Sequence, residues 1–528
     1  MLLAEQASPT PAPPKLVLVL AIDQMRFDYL TRFADLYKGG IRRLITEGAV
    51  FNNAKYRHAA TETGPGHSVI LSGRHPSNSG IVANDWWDQF LDREITVVDD
   101  PIQAPLGGPG RSASPANFLG YTVGDVLKLK NPNSKVLGIS TKDRSAILMA
   151  GRRADAAYWF ELEGGNYITS TYYMPKAPAW LTSFNAQRLP DAYYKQGWTL
   201  LHDRALYERY AGKDDQPGEG YTNRNIHVPK PFPAAPPATA YYTEFRRTPY
   251  AEEVMLQFVF AAMKAHDIGA DAVTDILALS FSSTDYVGHD YGPHSQEAMD
   301  QTLRLDRALD QLFQHIERTV GMANTIVAVT ADHGVVPLPE ILQQRGIDGR
   351  RADRQELLRA VEQALSQKFP GVEKLIRKTD FDIYSMYFDE NLIRLNGLSL
   401  REIEETAAKA IMSTGFVDRV YTRSELMEQA PSSDPYMQLY RNSFYAPRSG
   451  HLTFLPKPYL TFWVKGTSHG TPYDHDRHVP IIFMGRSIKP GTYSEACGPE
   501  DIAPTLAHIL GLDYPKEPDA RLLLEMLK

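Results

Sequence analysis

The chain has a single cysteine, Cys497, among its 528 residues. An internal disulfide framework is therefore excluded, and so is any metal cage built of thiolates. Compartment stays open on this ground, because a reducing environment and an exported bacterial protein that avoids thiols both fit. No apolar run reaches the roughly 18–20 residues that a membrane-crossing helix needs. Excess positive charge is also missing. Lys and Arg number 56 against 63 Asp and Glu, a net charge of -7, which supports neither a nucleic-acid partner nor an anionic membrane surface. Any grip on an anion must come from positive charge gathered locally. No internal repeat is visible.

What is present is ordinary for a large soluble enzyme: 43% hydrophobic and 23% charged residues. The length allows one large α/β domain with insertions, or two to three smaller ones. Residues 1–14, MLLAEQASPTPAPP, read as a disordered, Pro-rich leader that lacks the basic and apolar regions of a signal peptide. Beyond it come short, almost continuously apolar runs, each ending in polar residues. They cover 15–22, 136–139, 276–281, 325–330, 459–464 and 479–484. Such runs suit strands covered on both faces, as in a parallel sheet between helices. Ala298, Leu303, Leu309, Leu312 and Ile316 predict a helix between two of these strands, and further helices are expected over 251–265 and 355–369. Two stretches break the rhythm. Residues at about 150–250, rich in Tyr, Trp and Pro, read as an insertion of loops and short strands. Residues at about 337–455 contain helices and an irregular segment over 421–449. Both are expected to form a crown over the site.

The polar residues at the strand ends are the informative ones. Asp23 ends the first run, and Asp285 and His289 sit four apart in TDYVGH, on one face if that turn is helical. Asp332 and His333 are adjacent in TADHG, and His469 lies in SHGTPYDHD. Carboxylate and imidazole are the zinc ligands that remain when thiolate is absent. Three aspartates and three histidines divide into two sites of three protein ligands, each leaving room for substrate or water. Thr63 precedes Gly64-Pro65-Gly66 in ATETGPGHSVILS, at what looks like a helix start, where the dipole and unpaired N–H groups favour anionic oxygen.

These motifs, in this order, resemble the alkaline phosphatase superfamily. The likeness is to its phosphodiesterase/nucleotide-pyrophosphatase-like branch, and within that to PafA-type bacterial alkaline phosphatases with a threonine nucleophile. The matches run from Asp23 to His469. The resemblance implies an α/β fold with a large central, mostly parallel sheet flanked by helices, formed by residues 15–528 as a single domain with crown insertions. It assigns one zinc ion to Asp23, Asp332 and His333 beside Thr63, and a second to Asp285, His289 and His469. Asn84, in GIVANDWWD, and Lys142 and Arg144, in STKDR, match residues that contact phosphate oxygens. The implied activity is hydrolysis of small phosphate monoesters through a phosphothreonine, with Lys142, Arg144, Asn84 and the Gly64 amide stabilising charge. It also implies a periplasmic or secreted enzyme; a monomer or another oligomer would fit equally.

Two rivals carry different consequences. A phosphodiesterase or nucleotide pyrophosphatase would use the same metals, although Lys142 and Arg144 favour the extra charge of a monoester. A non-catalytic zinc-binding protein would have little use for Thr63. The last motif departs from the family where His475 stands in place of an expected tyrosine. His67, His294, His475 and His478 are read as supporting residues.

Overall fold

The computed structural model describes residues 13–220, 226–227, 229–428 and 430–528. The leader expected over residues 1–14 therefore falls almost wholly outside the described residues.

A ten-stranded sheet organises the chain. At its centre, Leu16–Ile22 lies parallel between Thr325–Thr330 and Asp275–Phe281, and Val136–Ser140 continues the parallel set on the far side of Asp275–Phe281. Ala156–Phe160 extends it further, again parallel. Antiparallel neighbours flank this set, Ile481–Gly485 beside Thr325–Thr330 on one side and Tyr167–Ser170 beside Ala156–Phe160 on the other, and the short strands Ala49–Phe51, Gly491–Tyr493 and Pro105–Leu106 finish the two edges.

The apolar runs are explained by burial on both faces. In the first strand Leu16, Leu18, Leu20 and Ile22 point into one core, shared with helices Tyr250–Ala265 and Gln296–Thr319. Val17, Val19 and Ala21 point into the opposite core, shared with helices Thr63–Ser72 and Ile502–Ile509. The Gln296–Thr319 helix begins where its sequence says it should, with the Ser295 hydroxyl accepting from the Ala298 N–H at 3.0 Å.

Register then places the chemistry. Ala21 is level with Ser280 and with Thr330, and Ser280 is level with Ser140. Two residues beyond that row come Asp23, Asp332 and Lys142. Parallel strands all end on the same edge, so side chains from distant points of the sequence meet there.

Three expectations need correction. The run over 459–464 is not a strand of the central sheet. Only Leu460–Thr461 is extended, paired with Arg350–Arg351 in a separate two-stranded ladder. Leu460 and Phe462 are buried instead in a separate core, while Val464 is exposed. The stretch after 337 is more ordered than a crown of helices and loops. Strands Ile376–Asp380, Ser385–Phe388, Val417–Thr422 and Leu452–Pro456 form a four-stranded sheet, with helices Arg354–Lys368 and Leu400–Ser413 contributing to the same core. The stretch after 150 opens with Ala156–Phe160 and Tyr167–Ser170, which belong to the central sheet.

Candidate metal centre and nucleophile

All six expected ligands converge. His333 Nε2 is 3.6 Å from Asp23 Oδ1 and 3.4 Å from Asp332 Oδ2. The Ser283–Tyr291 helix puts Asp285 and His289 on one face, with 3.2 Å between Asp285 Oδ1 and His289 Nε2. His469 comes from a loop, and its Nε2 lies 3.8 Å from the same oxygen. Asp23, Asp332 and His333 are completely buried.

The donor chemistry of this cluster fits divalent cations. Each imidazole has its Nδ1 against a backbone carbonyl: His289 on Thr467 and His469 on Thr61, both at 2.7 Å, and His333 on Gly334 at 2.9 Å. A ring that donates through Nδ1 turns a lone pair outward at Nε2, which is how metal-binding histidines are commonly oriented. The His289 and His469 Nε2 atoms face each other at 3.2 Å. His333 Nε2 and Asp23 Oδ1 are buried with no hydrogen-bond partner. Acceptors crowded together in this way are stabilised by a cation among them.

Electrostatics point the same way. Burial, reinforced by Asp332, holds the Asp23 carboxyl well above the usual range, against the opposing pull of Lys142. Burial acts on Asp285 too, but Lys142 and His289 outweigh it and hold that group well below. Burial, with His333 and His289 nearby, keeps His469 neutral far below an ordinary imidazole.

Thr63 is the first residue of its helix and is buried. Lys142 Nζ lies 3.2 Å from Thr63 Oγ1, 2.7 Å from Asp23 Oδ2 and 2.7 Å from Asp285 Oδ2. It therefore joins the hydroxyl to both ligand groups. Arg144 is placed further out. It lines a cleft of about 340 Å³ with Lys142, Trp159, Phe160, Arg246 and Tyr286, and its Nε is buried without a partner. Asn84 Oδ1 accepts from the Gly64 N–H at 2.8 Å. That corrects one expectation, because the Gly64 amide is committed to Asn84. Pro65 has no N–H to offer, so this helix start presents fewer donors than its sequence suggests.

Residues that the sequence did not single out complete the setting. Gln24 takes a left-handed backbone, φ 64°, an uncommon conformation that clusters at functional sites. Its N–H donates to Asp332 Oδ1 at 3.0 Å and its side-chain amide to Asp285 Oδ1 at 2.8 Å, so one residue orients a carboxylate from each ligand group. Its position directly after Asp23 was the only signal available. Trp463 stacks on His289 with 5.2 Å between centroids. Arg246 stacks on Tyr286, with its guanidinium carbon 4.6 Å from the ring centre.

Of the four histidines expected to be supporting residues, His67 is itself close enough to Asp23 and Asp332 to share an ion with them. His67 lies 3.0 Å from Asp332 Oδ2. His478 stacks on Phe27, His294 lies against Arg32 and Arg345, and the His475 carbonyl accepts from the Val335 N–H.

Known proteins show the same arrangement of chain. The family model for Type I phosphodiesterase / nucleotide pyrophosphatase matches residues 17–478. The sequence is 34% identical to alkaline phosphatase PhoV of Synechococcus elongatus, across 98% of this chain and 94% of that protein. It is 33% identical to alkaline phosphatase PafA of Elizabethkingia meningoseptica, with the same coverage. A crystal structure of wild-type PafA superposes with a TM-score of 0.91, at 31% identity, covering 98% of this chain and all of that one. Fold and relatives together define an enzyme of the phosphatase class with an alkaline phosphatase-like α/β architecture. The chain belongs to the Type I phosphodiesterase / nucleotide pyrophosphatase family.

Proposed function

We propose that this phosphatase hydrolyses small phosphate monoesters by two displacements at Thr63. Two divalent ions, zinc by donor type, would be held by Asp23, Asp332 and His333 and by Asp285, His289 and His469. Bound there, the ions would supply Lewis acidity toward phosphoryl and hydroxyl oxygens. In the first displacement Thr63 Oγ1 forms a bond to phosphorus as the ester P–O bond breaks and the alcohol departs. In the second, water attacks the phosphothreonine, inorganic phosphate leaves and the hydroxyl is restored.

The observation that carries this reading is the 3.2 Å approach of Lys142 Nζ to Thr63 Oγ1. A buried ammonium there favours the alkoxide over the alcohol and then meets charge on the transferring group. Burial opposes its charge, but Asp23 and Asp285 keep Lys142 protonated well above ordinary lysine. Charge balance agrees: with all three aspartates ionised, as metal binding requires, they and one lysine leave the cluster two charges negative. Two divalent ions would reverse that sign, with Arg144 adding to it, which suits a phosphate dianion. The Gly64 N–H fixes Asn84 Oδ1, which leaves the amide NH2 to meet a phosphoryl oxygen. No described helix is long and apolar enough to cross a membrane, which is compatible with the periplasmic or secreted location that the resemblance implies.

The cleft beside Arg144 favours a second reading, since its roughly 340 Å³ could take the second ester group of a diester. Rates on a phenyl phosphate monoester and its diester, measured on zinc-loaded enzyme, separate the two. A faster monoester is expected. A diester preference of several decades would reject the monoesterase assignment.

A further inference from the structure

A second cluster of ligand-type side chains lies apart from Thr63 and has no part in the chemistry above. His58 precedes the Thr63–Ser72 helix and His75 follows it, and both are buried. Between them sits Glu500, on the Pro499–Asp501 turn that leads into the Ile502–Ile509 helix, with no exposure at all. His58 Nδ1 is 3.5 Å and His75 Nδ1 is 3.9 Å from Glu500 Oε1. One ligand atom from each of the three lies within 4.8 Å of the other two. Bonds of about 2.0–2.2 Å from imidazole and carboxylate to one zinc-type ion would span such separations.

The hydrogen bonds leave both imidazoles and one Glu500 oxygen open, while Oε1 accepts from the Arg57 N–H at 2.7 Å and keeps a second lone pair. His75 Nε2 lies 2.9 Å from Asp519 Oδ1. A proton held there leaves the lone pair at Nδ1, on the Glu500 side; this is the carboxylate–histidine pairing found behind metal ligands. His75 Nδ1, both nitrogens of His58 and Glu500 Oε2 have no hydrogen-bond partner among the described residues. Leaving one buried polar group unsatisfied costs about 1–3 kcal/mol, and here several gather at one point.

Neighbouring cations are committed elsewhere. The Arg57 guanidinium grips Asp501 through both terminal nitrogens at 2.9 Å and stays 3.8 Å from Glu500 Oε2, while the Arg57 backbone N–H donates to Glu500 Oε1 at 2.7 Å. Arg477 bonds the Tyr56 carbonyl and faces Asp474. A single proton could join one histidine to Glu500, whereas a central cation would satisfy all three donors at once.

We propose that His58, His75 and Glu500 hold a third divalent ion of zinc type, in a buried site apart from Thr63 where a water would complete the tetrahedral set. It would tie both ends of the nucleophile helix to the C-terminal segment, and the inference does not depend on the reaction proposed above.

Metal content of the full-length protein tests it, measured by mass spectrometry after loading with Zn2+ and desalting. Glu500→Gln and the double change His58→Gln with His75→Gln are expected to carry one equivalent per chain fewer than the unaltered protein. A chelator should lower the melting temperature less in these variants. A variant with Asp285→Asn and His469→Gln, altered only beside Thr63, should keep the ion, so failure at either site is told apart. Equal stoichiometry in the unaltered protein and Glu500→Gln would overturn the proposal in favour of a proton-linked pair. Should the variants not fold, zinc-edge anomalous scattering from crystals of the unaltered protein decides: a peak between His58, His75 and Glu500 is expected, and its absence at saturating Zn2+ refutes the site.

Discussion

The central sheet and the smaller sheet over 376–456 contribute to the candidate centre in different ways. The central sheet carries ligand-type groups: Asp23 and Asp332 stand two residues past an aligned row of parallel strands, and Asp285 lies on the helix that one of those strands feeds. The smaller sheet carries none of the six. Its Asp380-to-Ser385 connection instead abuts the loop that holds His469. Asp382 Oδ1 accepts from Trp463 Nε1 at 3.1 Å and from Ser468 Oγ at 3.3 Å, and Trp463 in turn stacks on His289. Gly470, at φ 106°, packs so closely on the Asp382 carbonyl that a Cβ would collide with it. The difference teaches that one layer supplies the donors while the other fixes the aim of the two histidines that no strand end positions.

That division can be broken experimentally, most severely at the proposed nucleophile. Thr63→Ala leaves both layers intact and removes the oxygen proposed to attack. Turnover of a phosphate monoester is expected to fall about a thousandfold or more, while the metal content stays that of the unaltered enzyme. Undiminished turnover would reject the covalent route.

Lys142→Ala comes next, removing the ammonium that links Thr63 to Asp23 and Asp285. Monoester turnover should drop about 10²–10³-fold and diester turnover much less. A parallel fall on both substrates would mean that Lys142 only organises the ligands.

At the contact between layers, Gly470→Ala or Asp382→Ala should weaken zinc retention about 10–100-fold, as read by competition with a chelator. The loss should track the ion expected at His289 and His469 and spare the one expected at Asp23. Unchanged affinity would show that the smaller sheet is not needed to aim these ligands.

Support behind the helix that carries Asp285 and His289 is read through stability rather than turnover. Glu252, fully buried, accepts from the Ser283 N–H and from Gln301. Burial raises its carboxyl to about 8, so the folded state retains a proton that the unfolded chain releases near pH 4.5. The folded state therefore binds more protons between those values, and stability must fall as pH rises through that window. Its contribution approaches about 1.4 kcal/mol per pH unit. Denaturant melts of Glu252→Gln from pH 5 to 8 should lose that slope, and an unaltered slope would assign it to other groups.

By itself the sequence determined the parts that repeat a simple physical pattern. Strands buried on both faces must be apolar throughout, so Leu16–Ile22, Asp275–Phe281 and Thr325–Thr330 were legible, and so was the helix joining the last two. Asp23, Asp285 and Asp332 were legible because each follows such a run at once or within a turn of helix. Only tertiary structure decided which side chains meet. Gln24 bridging Asp285 and Asp332, Arg246 on Tyr286, and Glu500 between His58 and His75 join segments hundreds of residues apart or carry no local signature. The run over 459–464 misled for a related reason: hydrophobic burial is non-directional, and an apolar segment reads the same whether it pairs in a sheet or fills the floor of another core.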